Sequence, residues 1–251
     1  MKTLHLTGRA AWGDPLASDD LSQRLWSRLR ANYPRALAAC LMGDHFHLVV
    51  PKDPEAWGRL CRLLGSLKGW PYERPRQPVL ATDRVKVRRD IRYAVLNPCR
   101  AELARDPLEW VWSTHRELVG AIRDPWIDRR VLARLGIDHA YVSGDPSVAV
   151  AGTPAPSPAP RSWDHPLGRI AAAAMAATRT KPSDLRRRSE ARTVFLQLAG
   201  TNGWRRATLL AELCGMNRNA VHQAWSRPDI TTEAQLCLGD DRLLARLTPP
   251  A

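Results

Sequence analysis

The stretch CLMGDHFHLVVPK, Cys40 to Lys52, sets two histidines on either side of one phenylalanine and runs at once into an apolar segment. Side chains alternate along a strand, so His45 and His47 share a face about 6.5–7 Å apart along the backbone, while Phe46 points into a core. Gly43 and Asp44 are good turn residues. RALAACLM before them and HFHLVVP after them therefore read as two strands of a hairpin. Alone, the His-x-His pair reads as a metal edge or as two satisfied histidines on a wet strand face, and by itself it favours the second.

Working outward, TLHLTGRA near the N-terminus alternates like a strand. DPLASDDLSQRLWSRLRANYP follows with an acidic start and apolar residues at Leu21, Leu25, Trp26 and Leu29, a helical period ended by Pro34. After the hairpin, Asp53 can cap a helix whose Trp57, Leu60, Leu63, Leu64 and Leu67 share a face. PYERPRQPVLAT reads as a loop, and DRVKVRRDIRYAVLN as a helix stopped at Pro98. DPLEWVWSTHRELVG is irregular to helical, and RDPWIDRRVLARLGI is a further short helix. The order β-α-β-β-α-α predicts an α+β domain over residues 1–140, an antiparallel sheet covered by helices.

Pro, Ala and Ser dominate SGDPSVAVAGTPAPSPAPRSWDHP, so residues 141–164 read as a semi-stiff linker. Residues 165–251 read as all-α. HPLGRIAAAAMAATRT and KPSDLRRRSEARTVFLQLAGTNG are helices. In WRRATLLAELCGMNRNAVHQAWSRP a helix, a turn at Cys214-Gly215 and a second helix have helix-turn-helix spacing. The remaining tail has no defined pattern.

The 251 residues carry 38 Lys and Arg against 25 Asp and Glu, a net charge of +13. Residues 1–140 hold 24 basic and 16 acidic side chains, and residues 141–251 hold 14 and 9. An extended anionic partner is favoured, nucleic acid ahead of membrane. No apolar run reaches the ~18–20 residues of a membrane span, and His5 and Asp14 come too early for a secretory signal. The expectation is a cytoplasmic chain with no membrane partner. Five scattered cysteines without a CxxC pair argue against a disulfide framework and a structural zinc site.

ACLMGDHFHLVVP resembles the YCLMPNHVHLLV pattern of the REP-associated tyrosine transposases, members of the HUH single-tyrosine transposase superfamily. Downstream, RYAVLNPCRAELARDPLEWVWSTHRELVG resembles that family's YIHLNPVRAGLVDDPEDYPWSSYRAYLG. The resemblance covers most of residues 36–120. It implies a ferredoxin-like catalytic domain in which Tyr93 is the nucleophile and Asn97, with His45 and His47, holds a divalent metal ion, Mg²⁺ or Mn²⁺. Tyr93 and Asn97 are four residues apart, so one helix face presents both. The implied reaction cleaves and rejoins single-stranded or hairpin DNA through a 5′-phosphotyrosine, by a monomer or a homodimer. Arg84, Lys86, Arg88, Arg89 and Arg92 can track the DNA backbone or form a solvated helix face. Trp110 and Trp112 match aromatic positions of the family and read as packing residues ahead of base-stacking ones. Two departures stand out: Gly43-Asp44 replaces the usual Pro-Asn, and the family's W-Q-x-R-Y/F approach to the tyrosine helix is missing.

The segment from Leu167 to Trp225 resembles the DNA-binding C-terminal domain of the bacterial replication initiator DnaA, with Asp184, Leu185, Arg188, Ala191 and Arg192 in comparable places. Asn217, Arg218, Asn219, His222 and Gln223 then fall on the recognition helix, where Arg and Asn can read base edges. A small helical bundle with a polar outer face is the plainer reading. For the whole chain, the alternative to a cutting enzyme is a domesticated, non-cleaving DNA-binding regulator of the same ancestry.

Overall fold

A computed structural model describes residues 1–148, 150–157 and 165–244. They form an α+β structure of two compact units: Met1–Val119 with Pro125–Thr153, and Gly120–Asp124 with the described residues from Pro154 to Leu244. No helix among the described residues is long and apolar enough to cross a membrane. None of the five cysteines is in a disulfide.

The first unit runs β1 (Thr3–Arg9), α1 (Asp19–Asn32), β2 (Ala38–Leu41), β3 (His45–Pro51), α2 (Ala56–Gly65), β4 (Val79–Ala81) and α3 (Arg84–Arg100). Its four strands form one antiparallel sheet in the order β2-β3-β1-β4. The expected hairpin is present, with Leu41 opposite Phe46 and Met42 N–H donating to the His45 carbonyl at 2.7 Å. Alternation sorts the two faces. Leu6, Phe46 and Leu48 pack with Leu25, Trp26 and Leu29 of α1 and Leu60 and Leu64 of α2. Ala38, Val49 and Ala81 pack with Val87, Ile91, Ala94 and Val95 of α3. His47 shares its face with Val49, so it lies on the side that α3 covers. Gly8 permits the close packing of the other face: a Cβ there would stand 2.4 Å from the Phe46 ring.

Three readings of this unit change. Val79–Ala81, inside the segment read as a loop, is a fourth strand pairing with β1 through Thr3–Ala81 and His5–Val79. It is a three-residue edge with only Ala81 buried, too short to show alternation. The last helix does not stop at Pro98 but includes it and ends at Arg100. A proline in the last turn forfeits one hydrogen bond, and the Ala101 N–H still reaches the Asn97 carbonyl at 2.9 Å. Trp57 leaves the core face of α2, and its indole N–H donates to the Pro75 and Arg76 carbonyls of the following loop. Trp110 and Trp112 are buried, in line with packing, and the Trp110 indole N–H donates to the Leu41 carbonyl at 2.6 Å.

Short helices α4 (His115–Leu118), α5 (Arg129–Arg134) and α6 (His139–Ser143) complete the unit. The stretch read as a linker begins inside it: the Ala151 N–H donates to Asp106 at 3.0 Å, and Asp145 is buried. Residues 158–164 of that stretch lie outside the described residues.

The second unit is helical: α7 (Leu167–Thr178), α8 (Glu190–Thr201), α9 (Ala207–Cys214), α10 (Arg218–Trp225), α11 (Thr232–Gly239) and α12 (Asp241–Leu244). The expected turn between α9 and α10 is there, with Gly215 at φ +62° in the left-handed region. KPSDLRRRSEARTVFLQLAGTNG is not one helix: a 3₁₀ turn, Pro182–Arg186, precedes α8, which Ser189 caps by accepting from the Arg192 N–H. The tail read as undefined contains α11 and α12, with Ala234, Cys237, Leu238 and Leu243 buried. Residues 245–251 of it lie outside the described residues.

Candidate functional site

Three imidazoles and one amide meet where α3 crosses the sheet. His45 and His47 come from β3, His5 from β1 and Asn97 from the last full turn of α3. The Asn97 side-chain amide contacts His47 Nε2 and lies 3.5 Å from His45 Nε2. His5 Nε2 stands 3.1 Å from His47 Nδ1. The His45 and His47 rings are perpendicular, 5.1 Å between centroids. Tyr93, one turn before Asn97, puts its ring edge-on to His47 at 5.3 Å and is 42% exposed. The four residues expected to act together are thus together. His47 and Asn97 are buried at 7% and 9% exposure, so the nucleophile candidate is open to solvent and its neighbours are not.

The electrostatics favour neutral imidazoles at His5 and His47. Burial, with smaller contributions from His5 and His45, drops the His47 pKa to about 3. Burial also lowers His5, with Asp90 opposing and Lys86 assisting. Burial alone would raise Asp44, but hydrogen bonds and charges from His45 and Arg9 outweigh it and hold this carboxyl below its ordinary range. An ionised carboxylate only accepts, so His45 Nδ1 carries the proton shared with Asp44 Oδ1. With that proton on Nδ1, the Nε2 edge of His45 is the one turned toward Asn97. His47 offers its Nε2 lone pair there when its Nδ1 proton is directed to His5. A carboxylate or second imidazole behind each ring is how a metal-binding histidine is oriented.

These donors suit a divalent cation: two imidazole nitrogens and an amide whose oxygen takes the same place after a half-turn of the side-chain end. Among the described residues no group of three His, Cys, Asp or Glu side chains is arranged to hold a metal ion. An ion here would depend on the Asn97 amide and would keep open positions for other ligands.

His5 and Asp44 are participants that the sequence reading missed. His5 was visible only as a polar residue of an alternating strand. Its approach to His47 depends on the register of β1 against β3, which sets Thr7 opposite His47 and Arg9 opposite His45. Asp44 was read as a turn residue, yet its carboxylate also binds Arg9 at 2.7 Å. Arg100, one turn beyond Asn97, places its guanidinium 5.2 Å from the Tyr93 ring centre and pairs with Asp145 at 2.8 Å.

The basic run of α3 is largely occupied. Arg84 donates to the Arg134 carbonyl, and Arg88 to the Gly136 carbonyl. Arg88 and Arg92 stack on the Tyr141 ring at 4.2 and 4.8 Å, and Arg92 also pairs with Asp145 at 3.3 Å. Lys86 pairs with Asp90 one turn on. Arg89 is the exposed member with no partner among the described residues. The run therefore fastens α5, α6 and the start of the linker stretch to α3, and only part of it faces outward.

On α10 the pattern is the reverse. Asn217, Arg218, Asn219, His222 and Gln223 are all exposed, while Val221 and Ala224 are buried. Asn217 also caps the helix, accepting from the Ala220 N–H at 2.8 Å. His222 lies edge-on to Trp225 at 5.3 Å and 3.4 Å from Arg218 Nε. Beside it a cavity of about 720 Å³ is lined by Arg188, Arg192, Gln223 and Arg227. The chain matches no family model, no curated protein and no solved structure.

Proposed function

We propose that the protein is a metal-dependent DNA strand transferase of the HUH single-tyrosine type, which cleaves and rejoins single-stranded DNA through a 5′-phosphotyrosine. The observation that carries the reading is the meeting of His45 Nε2, His47 Nε2 and the Asn97 amide one helical turn from exposed Tyr93. The β-α-β-β-α-β succession in the order β2-β3-β1-β4 supports it, being the ferredoxin-like pattern that the resemblance implies.

In this reading His45, His47 and Asn97 hold Mg²⁺ or Mn²⁺, which when bound polarises the scissile phosphate and offsets charge developing on it. Asp44 and His5 fix the two imidazole rings. The Tyr93 oxygen attacks phosphorus, so the Tyr O–P bond forms and the P–O3′ bond breaks. The phenol proton passes to water, and the departing 3′ oxygen takes up a proton. Attack by a 3′-hydroxyl reverses the step, so cleavage and joining share one site without a nucleotide cofactor. Arg100, across the ring face, positions the Tyr93 ring through a cation–π contact. The second unit, through α10 and the arginines beside it, supplies contacts to duplex DNA.

The test is incubation with Mg²⁺ and labelled single-stranded hairpin DNA from the flanks of the protein's own gene. An SDS-resistant protein–DNA adduct with the wild type, and none with Tyr93→Phe, is the expected result. Absence of an adduct across such oligonucleotides with the wild type, with duplex binding retained, would favour the non-cleaving regulator instead.

A further inference from the structure

Trp12 is the most solvent-exposed aromatic residue of the first unit, at 72%, and has no hydrogen-bond or ring partner among the described residues. Its loop is nevertheless fixed. The Ala10 N–H donates to the Asp44 carbonyl at 2.7 Å, the Ala11 N–H to the Pro71 carbonyl at 2.9 Å, and the Leu16 N–H to the Gly43 carbonyl at 3.0 Å. Gly13, at φ +67°, makes the bend that turns the indole outward. Ala10 also bridges to Tyr72, which is 44% exposed. Two exposed rings therefore stand on adjoining, anchored loops. The Trp12 loop is tied directly to the hairpin turn that presents His45, the Tyr72 loop is tied to the Trp12 loop, and β1 enters the Trp12 loop from Arg9, the residue opposite His45.

The surroundings say what such rings would meet. The Arg9 side chain is 65% exposed and pairs with Asp44, and Arg74 and Arg76 are exposed on the loop after Tyr72, with exposed Glu73 and Asp14 beside the rings; Trp57 holds that loop down by its indole hydrogen bonds and by stacking with Arg74 at 5.0 Å. Flat aromatic faces amid arginines fit unpaired nucleobases on a phosphate backbone, since stacking takes any base and cations follow the phosphates. An apolar protein partner would not call for the arginines. We infer that Trp12 and Tyr72 form a stacking platform for unpaired bases of single-stranded DNA beside the scissile phosphate. This inference rests on the function proposed above. It also gives the stacking role to residues other than Trp110 and Trp112, which are buried.

The test measures binding of the full-length protein to fluorescently labelled single-stranded oligothymidine and to an abasic chain of the same length, by anisotropy. The wild type is expected to prefer the base-bearing strand by ten-fold or more. Trp12→Ala and Tyr72→Ala should each weaken oligothymidine binding roughly ten-fold, the range of one stacked base, and leave abasic binding unchanged. Tyr72→Phe should retain the wild-type affinity, which separates stacking from disturbance of the loop. Equal binding of both strands by the wild type, or wild-type affinity in both alanine variants, would overturn the platform while leaving the adduct assay for Tyr93 untouched. No binding of either strand by the wild type would overturn the enzyme reading and the platform together. A change of sedimentation in the alanine variants without a change in DNA binding would assign the rings to self-association instead.

Discussion

On α3, Asn97 is 9% exposed and turns its amide onto two histidines, while Arg84, Arg88 and Arg92 are drawn back onto carbonyls, Asp145 and the Tyr141 ring. On α10, five polar residues stand in water, while Val221 and Ala224 are buried and the Trp225 indole N–H donates to the Leu196 carbonyl of α8. Burying imidazoles and an amide costs free energy that solvent-facing groups do not incur. In the function proposed above, the polar groups held inward, each against another polar group, are the catalytic set, and the polar groups fanned outward on α10 are the DNA-contacting set. The same residue types thus carry different meanings in the two units.

Substitution at the buried set should have the largest effect. His47→Ala is expected to reduce adduct formation by ~100-fold or more, the scale of losing a catalytic electrostatic group, whereas Arg218→Ala should leave it unchanged and weaken duplex binding about ten-fold. Loss of the adduct in Arg218→Ala would break the separation of roles.

The two units also place a glycine against an aromatic ring. At Gly8 a Cβ would lie 2.4 Å from the Phe46 ring and 2.8 Å from Leu64, both fully or nearly fully buried, and at Gly200 it would lie 2.7 Å from Trp225 Nε1. Phe46 has no room to retreat, while Trp225 is partly exposed. Gly8→Ala should cost about 3 kcal/mol in urea unfolding, the upper range for overpacking a core. Gly200→Ala should cost less, because α8 gains helix propensity in exchange.

Asp145 sharpens the comparison through pH. Hydrogen bonding from Ser147, then the charges of Arg100 and Arg92, outweigh burial and lower its carboxyl. A carboxyl lowered by folding stabilises the native state above its unfolded pKa, and that contribution fades as pH falls through the folded value. Asp145→Asn should therefore be less stable than the wild type by about 2 kcal/mol at neutral pH, with the gap closing in acid. A gap independent of pH would mean that the side chain acts by shape alone. The smallest effect belongs to the second unit: Asn217→Ala should cost about 1 kcal/mol through loss of the α10 cap, read by thermal unfolding.

Much of this was legible because local periodicity carries it. The hairpin, the covering helices and the turn before α10 each announce themselves over a few residues. His45, His47, Tyr93 and Asn97 could be named because spacing of two in a strand and four in a helix fixes which side chains share a face. What stayed hidden depends on pairing between distant segments. β4 is a three-residue edge whose identity comes from β1. His5 needs the β1–β3 register before it can meet His47, and Asp44 needs the hairpin turn closed before its carboxylate reaches both His45 and Arg9. The arginines of α3 read as a DNA-tracking or solvated face because their carbonyl and Asp145 partners lie about 48–53 residues away in sequence.

The central claim is that His45, His47 and Asn97 meet at one ion. Its most direct measurement is Mn²⁺ titration of the full-length protein followed by electron paramagnetic resonance. One bound Mn²⁺ per chain is expected, with His45→Ala, His47→Ala and Asn97→Ala each weakening it ten-fold or more and Tyr93→Phe leaving it in place. A wild type that binds no Mn²⁺, or an Asn97→Ala variant that binds it as the wild type does, would contradict the account.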